Sequence, residues 1–335
     1  MQCARYWLLV ACLALNLSAS VVAADPPPPE KFTPKLRITF SSYRRTERQP
    51  KLYFYEHDGV SRGKITGTIE TGNKESDSHS SVAAEGRLIA FAHELENKVS
   101  QIVLWDVDAK AYVELPDINK TTNAQLCPSI TADGKRIAFA AWSRPGSNQR
   151  WDLLLYDLAS KQTVPLPGLN SQFFDERMPA FSRNGKWLAY TSNDRTGVGQ
   201  VDVLLYDMST RQVVTIPKLN SPAREVDPRL NADGQLVVFS SNRLGGKGGR
   251  DIYLFDRKAE KFLPLPGLNS VAHEQSPSLS ANGRFIAFVS ERITGAGNRD
   301  VYLYDRQAGK LLPTPDLNAA VEDFDPCVIL LEPKQ

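Results

Sequence analysis

Cysteine and histidine are scarce in this chain, with four of each among 335 residues. Cys3 and Cys12 fall in an apolar N-terminal stretch, so only Cys127 and Cys327 remain beyond it, too few for a disulfide-stapled scaffold. The histidines His57, His79, His93 and His273 form no ligand-spaced pair, so no metal and no cofactor are expected. Charge of one sign is also missing. The 40 Lys and Arg against 38 Asp and Glu leave a net charge of +2, with no basic footprint for nucleic acid. From Lys35 onward no window sustains a helical period. The one candidate membrane segment is at the start, so no span is expected after it.

That start reads as a secretory signal peptide over residues 1–24. Arg5 supplies the positive end, Trp7–Leu17 the apolar run, and Val22-Ala23-Ala24 the small residues before Asp25. A rival lipobox, Leu9-Val10-Ala11-Cys12, follows too short an apolar run. Removing 1–24 takes away Arg5 alone and leaves a charge of +1. Residues 25–35, with Pro26-Pro27-Pro28-Pro29, read as a Pro-rich linker. The expected locale is periplasmic or secreted.

What the chain does have is a repeat. Gly86, Gly134, Gly185, Gly234 and Gly283 follow one another by 48, 51, 49 and 49 residues, each just before an apolar run such as Ile286-Ala287-Phe288. Aromatic-Asp pairs keep the same beat, at Trp105-Asp106, Tyr156-Asp157, Tyr206-Asp207, Phe255-Asp256 and Tyr304-Asp305. So do prolines leading to Asn119, Asn170, Asn220, Asn269 and Asn318. A fixed period of this length means a repeat architecture.

Each unit predicts four short strands. Around Gly234 they are Val226–Leu230, Leu236–Ser240, Asp251–Asp256 and Phe262–Leu265, with Pro266-Gly267-Leu268-Asn269 ending the unit. Four strands per unit, radially repeated, make a β-propeller blade. Five units carry the full signature. A sixth is split between the termini: Leu36–Phe40, Lys51–Glu56 and Lys64–Ile69 lack a first strand, and Cys327–Leu331, behind Asp323-Phe324-Asp325-Pro326, supplies it. The expected fold is all-β, a six-bladed propeller of four-stranded antiparallel blades over 36–335, closed by the C-terminal strand completing blade one.

The unit from Glu274 to Arg292, followed by Asp300 to Asp305, resembles the repeat of TolB-type six-bladed propellers. TolB itself also carries an N-terminal α/β domain, for which the chain has no room. The resemblance implies a binding scaffold acting through top-face loops and channel mouth, on an unknown protein or small ligand of the cell envelope. It leaves open an adaptor for a lipoprotein, as TolB is, and a propeller lyase or hydrolase acting on sugars or lactones. A monomer is expected.

Candidate binding positions at the channel mouth and top-face loops are Asp77, His79, Glu176, Glu225, His273, Glu274, Asp323 and Lys247; no catalytic residue stands out. Gly59-Val60-Ser61-Arg62-Gly63 mimics a nucleophile elbow but falls in a hairpin. Gly245–Gly249 reads as a flexible loop rather than a phosphate cradle. The asparagines read as tight-turn residues tolerating a left-handed conformation, and the Asp after each third strand as a hairpin turn. A Cys127–Cys327 bond is not expected, because the two differ by two residues of register in non-neighbouring blades.

An acid three residues before each strand proline recurs at Glu176, Glu225, Glu274 and Asp323, with Asp77 in blade two and Gln125 in its place in blade three. Arg44, Arg144, Arg195, Arg243 and Arg292 follow the second strands, and blade two lacks one. Pairing each Arg with the acid of the next blade makes the two gaps coincide. The expected couples are Arg44–Asp77, Arg144–Glu176, Arg195–Glu225, Arg243–Glu274 and Arg292–Asp323.

Overall fold

The computed structural model describes residues 33, 35–44, 49–69, 75–83, 86–118, 123–142, 149–194 and 197–331. The signal peptide, the lipobox, all but two residues of the linker, and Asn119, Arg144 and Arg195 lie outside them.

The described residues form six four-stranded antiparallel sheets and no helix. Blade one contains β1 (Leu36–Ser42), β2 (Lys51–His57) and β3 (Gly63–Thr68). Blade two is β4 (Ser76–Val82), β5 (Leu88–Glu94), β6 (Ser100–Asp106) and β7 (Ala111–Val113). Blade three is β8 (Gln125–Ile130), β9 (Arg136–Trp142), β10 (Trp151–Asp157) and β11 (Gln162–Val164). Blade four is β12 (Glu176–Phe181), β13 (Trp187–Ser192), β14 (Asp202–Asp207) and β15 (Gln212–Val214). Blade five is β16 (Glu225–Leu230), β17 (Leu236–Ser241), β18 (Asp251–Asp256) and β19 (Lys261–Leu263). Blade six is β20 (Glu274–Leu279), β21 (Phe285–Ser290), β22 (Asp300–Asp305) and β23 (Lys310–Leu311). The last strand, β24 (Asp323–Leu330), pairs antiparallel with β1, so blade one is completed by the C-terminus and the ring is closed.

Local chemistry explains the strand limits. The turn glycines Gly86, Gly134, Gly185, Gly234 and Gly283 all take φ between 68° and 75°, where a side chain would be strained. The Asp that ends each third strand of blades two to six accepts the backbone N–H groups of the next turn, as Asp207 does from Ser209 and Thr210. The fourth strand of blade five ends at Leu263, short of the expected Leu265, because Pro264 has no N–H to continue the ladder.

The apolar core lies between blades rather than within them. Phe40, Phe91, Phe139, Tyr190, Phe239 and Phe288, one per second strand, are fully buried. Clusters form across neighbours, such as Phe285 and Val301 of blade six with Ile38 and Tyr55 of blade one. Polar groups grip the same joints. Tyr206, Tyr304 and Tyr55 donate to the carbonyls of Pro167, Pro266 and Pro315, each in the turn that ends the preceding blade.

The asparagines of that turn act differently from the expectation. The left-handed residue follows the proline (Gly168, Lys218, Gly267 and Asp316), not the Asn. The carboxamide of Asn269 instead spans the backbone of Ile252, accepting its N–H and donating to its C=O, both at 2.9 Å. Asn170, Asn220 and Asn318 do the same to Leu153, Val203 and Val301. Each replaces the ladder bonds that a fourth strand of two or three residues is too short to make.

Top face and central channel as the candidate functional site

The first strands β24, β4, β8, β12, β16 and β20 contact one another in a closed ring around the central channel. They run parallel, so equivalent residues form levels. At the top are the acids. One level down, every first strand carries a β-bulge whose residue has φ between 48° and 54°: Asp325, His79, Cys127, Met178, Asp227 and Ser276. Non-glycine residues rarely adopt this conformation, and all of the six but His79 precede a proline of their own strand, which disfavours it further.

The acids are buried and occupied. Glu225, Glu274, Asp323 and Asp77 have no exposed surface, and Glu176 has 2%. Glu225 accepts from the Ser221 hydroxyl at 2.6 Å, Ser241 at 2.9 Å and Arg243 Nη2 at 3.0 Å. Glu274 repeats this with Ser270, Ser290 and Arg292. Arg44 lies 3.5 Å from Asp323. The expected couples Arg243–Glu274 and Arg292–Asp323 are therefore corrected: each described arginine bonds the acid of its own blade. The reason is geometric. Glu225 and Ser241 are register partners, so the chain just past β17 lies directly over Glu225. There the Arg243 guanidinium stacks on Phe239, Tyr253 and Phe262, 4.7–5.1 Å from the ring centres.

A link between blades does exist, in the opposite sense. Arg243 Nη2 also donates to Leu219 O and Arg292 Nη2 to Leu268 O, both at 2.8 Å, and Arg44 donates to Leu317 O. These carbonyls belong to the turn ending the preceding blade. The two gaps in the pattern are filled separately. In blade two Asp77 meets His93 at 2.8 Å and Lys51 of blade one at 3.8 Å, so Arg44–Asp77 is not the couple either. In blade three the Gln125 amide donates to Ile118 O, the bond arginine makes elsewhere.

Burial lifts several carboxyls above their ordinary range. Burial, with Asp152 and Asp175 nearby, takes Glu176 to about 8 against the bonds from Ser171 and Ser192. Asp202, Asp251 and Asp300, which head the third strands, are raised by burial, each beside the acid of the next blade. The loop amides fold onto these carboxylates: Lys247 N and Gly248 N onto Asp251, and Val198 N and Gly199 N onto Asp202. The segment 245–249 is thus a shaped loop, not a slack one. Any side chain at Gly248 would overlap Ala272 O.

His79 sits within β4 inside the channel, not ahead of the strand at its mouth. Its Nδ1 lies 3.6 Å from Asp325 Oδ2. Burial works against the imidazolium, but Asp325, Cys127 and Asp227 outweigh it and raise His79 to about 10. His273 and the Lys247 side chain are exposed on the top face. Cys127 and Cys327 are unbonded. Among the described residues no group of three His, Cys, Asp or Glu is placed to hold a metal. Sequence reading missed the bulge level and, below it, Arg229 and Arg183; the register of the strand proline located the positions but not their conformation.

No family model matches the sequence, and no curated relative does. Solved structures do match. TolB from Acinetobacter baumannii is 18% identical with a TM-score of 0.63, over 87% of this chain and 66% of that one. A putative TolB from Agrobacterium tumefaciens is 14% identical with a TM-score of 0.57, over 90% of this chain and all of that one. An oligogalacturonate lyase in complex with manganese is 10% identical with a TM-score of 0.55, over 84% of this chain and 74% of that one. With six closed blades, the C-terminal strand in blade one and these likenesses, the chain has the fold of the TolB-type propellers.

Proposed function

We propose that this protein is an exported binding scaffold of the cell envelope that engages a protein partner through the top face of blades four to six. One observation carries the reading. Val198, Leu244 and Ile293, in the loops after the second strands, and Phe173 and Val271, on the approaches to first strands, are all exposed, Leu244 and Ile293 completely. These loops are anchored rather than slack, through Asp202, Asp251 and Asp300 and through the parallel bridges Val201↔Arg224 and Arg250↔His273. Apolar side chains held on ordered loops are suited to an interface, since little freedom is lost on binding. The likeness to TolB and the leader expected at 1–24 support the envelope setting, and an adaptor to a lipoprotein is the partner class the analogy favours.

The test is site-specific photo-crosslinking in cells. A benzophenone side chain at Leu244 and at Ile293 is expected to give the same discrete adduct, absent when the probe is at Val213 on an outer strand. Leu244→Asp combined with the probe at 293 should abolish the adduct without changing the melting temperature. Adducts at all three positions, or at none, reject the reading.

A further inference from the structure

The lower half of the channel holds a polar cavity of about 60 Å³ with no carboxylate among the described residues that line it. Its lining includes Arg183, Arg229, Ser81, Ser129, Ser278 and Cys327. That volume admits a few waters or one small ion.

Among the described residues, no Asp or Glu oxygen lies within 4 Å of either guanidinium: Arg183 Nη1 reaches only Val82 O, at 3.5 Å, and Arg229 Nη1 reaches Pro228 O at 2.8 Å. Arg183 extends from the turn after β12 in blade four toward blade two. Burial lowers its proton affinity, the sign of a cation held away from water without a counter-charge. Leaving a charge so placed is costly. The acids of the channel, Asp227 and Asp325, lie one level higher, with His79. Arg229 lines both levels.

The serines point the same way. Ser81, Ser129 and Ser278 each accept a backbone N–H from the next blade, from Ile130 at 3.1 Å, Phe181 at 2.9 Å and Val328 at 2.9 Å. A hydroxyl that accepts still has its own proton to donate. No acceptor for those three protons is found among the described residues. Among the described residues the cavity therefore presents donors from several blades and no anionic acceptor.

We infer that this cavity is a binding site for one small inorganic oxyanion, sulfate or phosphate, held between Arg183 and Arg229 with serine hydroxyls completing its shell. The anion would tie blades four and five to those across the channel.

Inorganic sulfate is the probe, with gluconate, too bulky for the cavity, matching ionic strength. Equilibrium dialysis with labelled sulfate should find about one ion per chain. Arg183→Met and Arg229→Met should each bind about tenfold or more weakly, the loss of a charge-assisted contact. Melting should show a crossover. In gluconate Arg183→Met, relieved of a partly buried charge with no counter-ion, melts at or above wild type; in sulfate wild type melts higher. Should a Met variant fail to fold, Arg183→Lys and Arg229→Lys retain the charge but lose the fork, and weaker sulfate binding by both is expected. Absence of stoichiometric sulfate on wild type, or folded variants that bind it equally well, overturns the inference.

Discussion

Arg243 shows what one residue per blade does here. It neutralises the buried Glu225, bonds the carbonyl of Leu219 from the preceding blade, and covers three aromatic rings. Its side chain is 13% exposed and its partner not at all, so removing it strands a buried carboxylate. Arg243→Ala is expected to destabilise the fold by about 3 kcal/mol, and Glu225→Gln by less, since the amide oxygen still accepts; urea denaturation measures both. The acids and arginines were legible as positions in a register. Their partners were not, because pairing depends on how the chain past β17 lies over its own sheet, which spacing alone does not contain. His79 gives a second residue-scale test. Its folded pKa is raised to about 10, above the ordinary 6.5. Its contribution to stability is thus fully present below about pH 6.5 and is lost as pH rises through the folded value. In an NMR titration the His79 ring should stay protonated past pH 8, and Asp325→Asn should move its midpoint down. A midpoint near 6.5 in the wild type would refute the channel pairing.

At the scale of the strand, the asparagine clamp is the feature that sequence reading misassigned. A turn residue and a residue reaching seventeen positions back look alike in one dimension. They separate only when the fourth strand is known to stop at three residues, and Pro264 was the signal for that. The strands themselves were legible, because alternating runs such as Asp251–Asp256 and the turn glycines mark both ends. The bulges were not, since a left-handed His79 or Cys127 ahead of Ser80 or Pro128 breaks the local preference and is imposed by the ring. Asn269→Ala removes two hydrogen bonds and should cost roughly 1–3 kcal/mol. Hydrogen exchange should quicken first at Ile252, with its partners on β17 still protected.

At the scale of the molecule, closure is the decisive join. Deleting Asp323–Gln335 removes β24, the first-strand place in blade one, and Asp323, the partner of Arg44. It should abolish the cooperative melt. Deleting Asp25–Pro34 stops short of Lys35, which bonds His57 and Leu331, and should leave the melt near wild type. The six-fold count and this closure were both readable from the split repeat. The pairing of Leu36 with Leu330 also sets an order of events. A chain made from its N-terminus exposes the free edge of β1 until β24 is available. Every earlier intermediate is an open arc with a strand edge able to pair with another molecule. Folding speed should then be governed by the search for that final strand, and concentration during refolding, more than temperature, should decide between ring and aggregate.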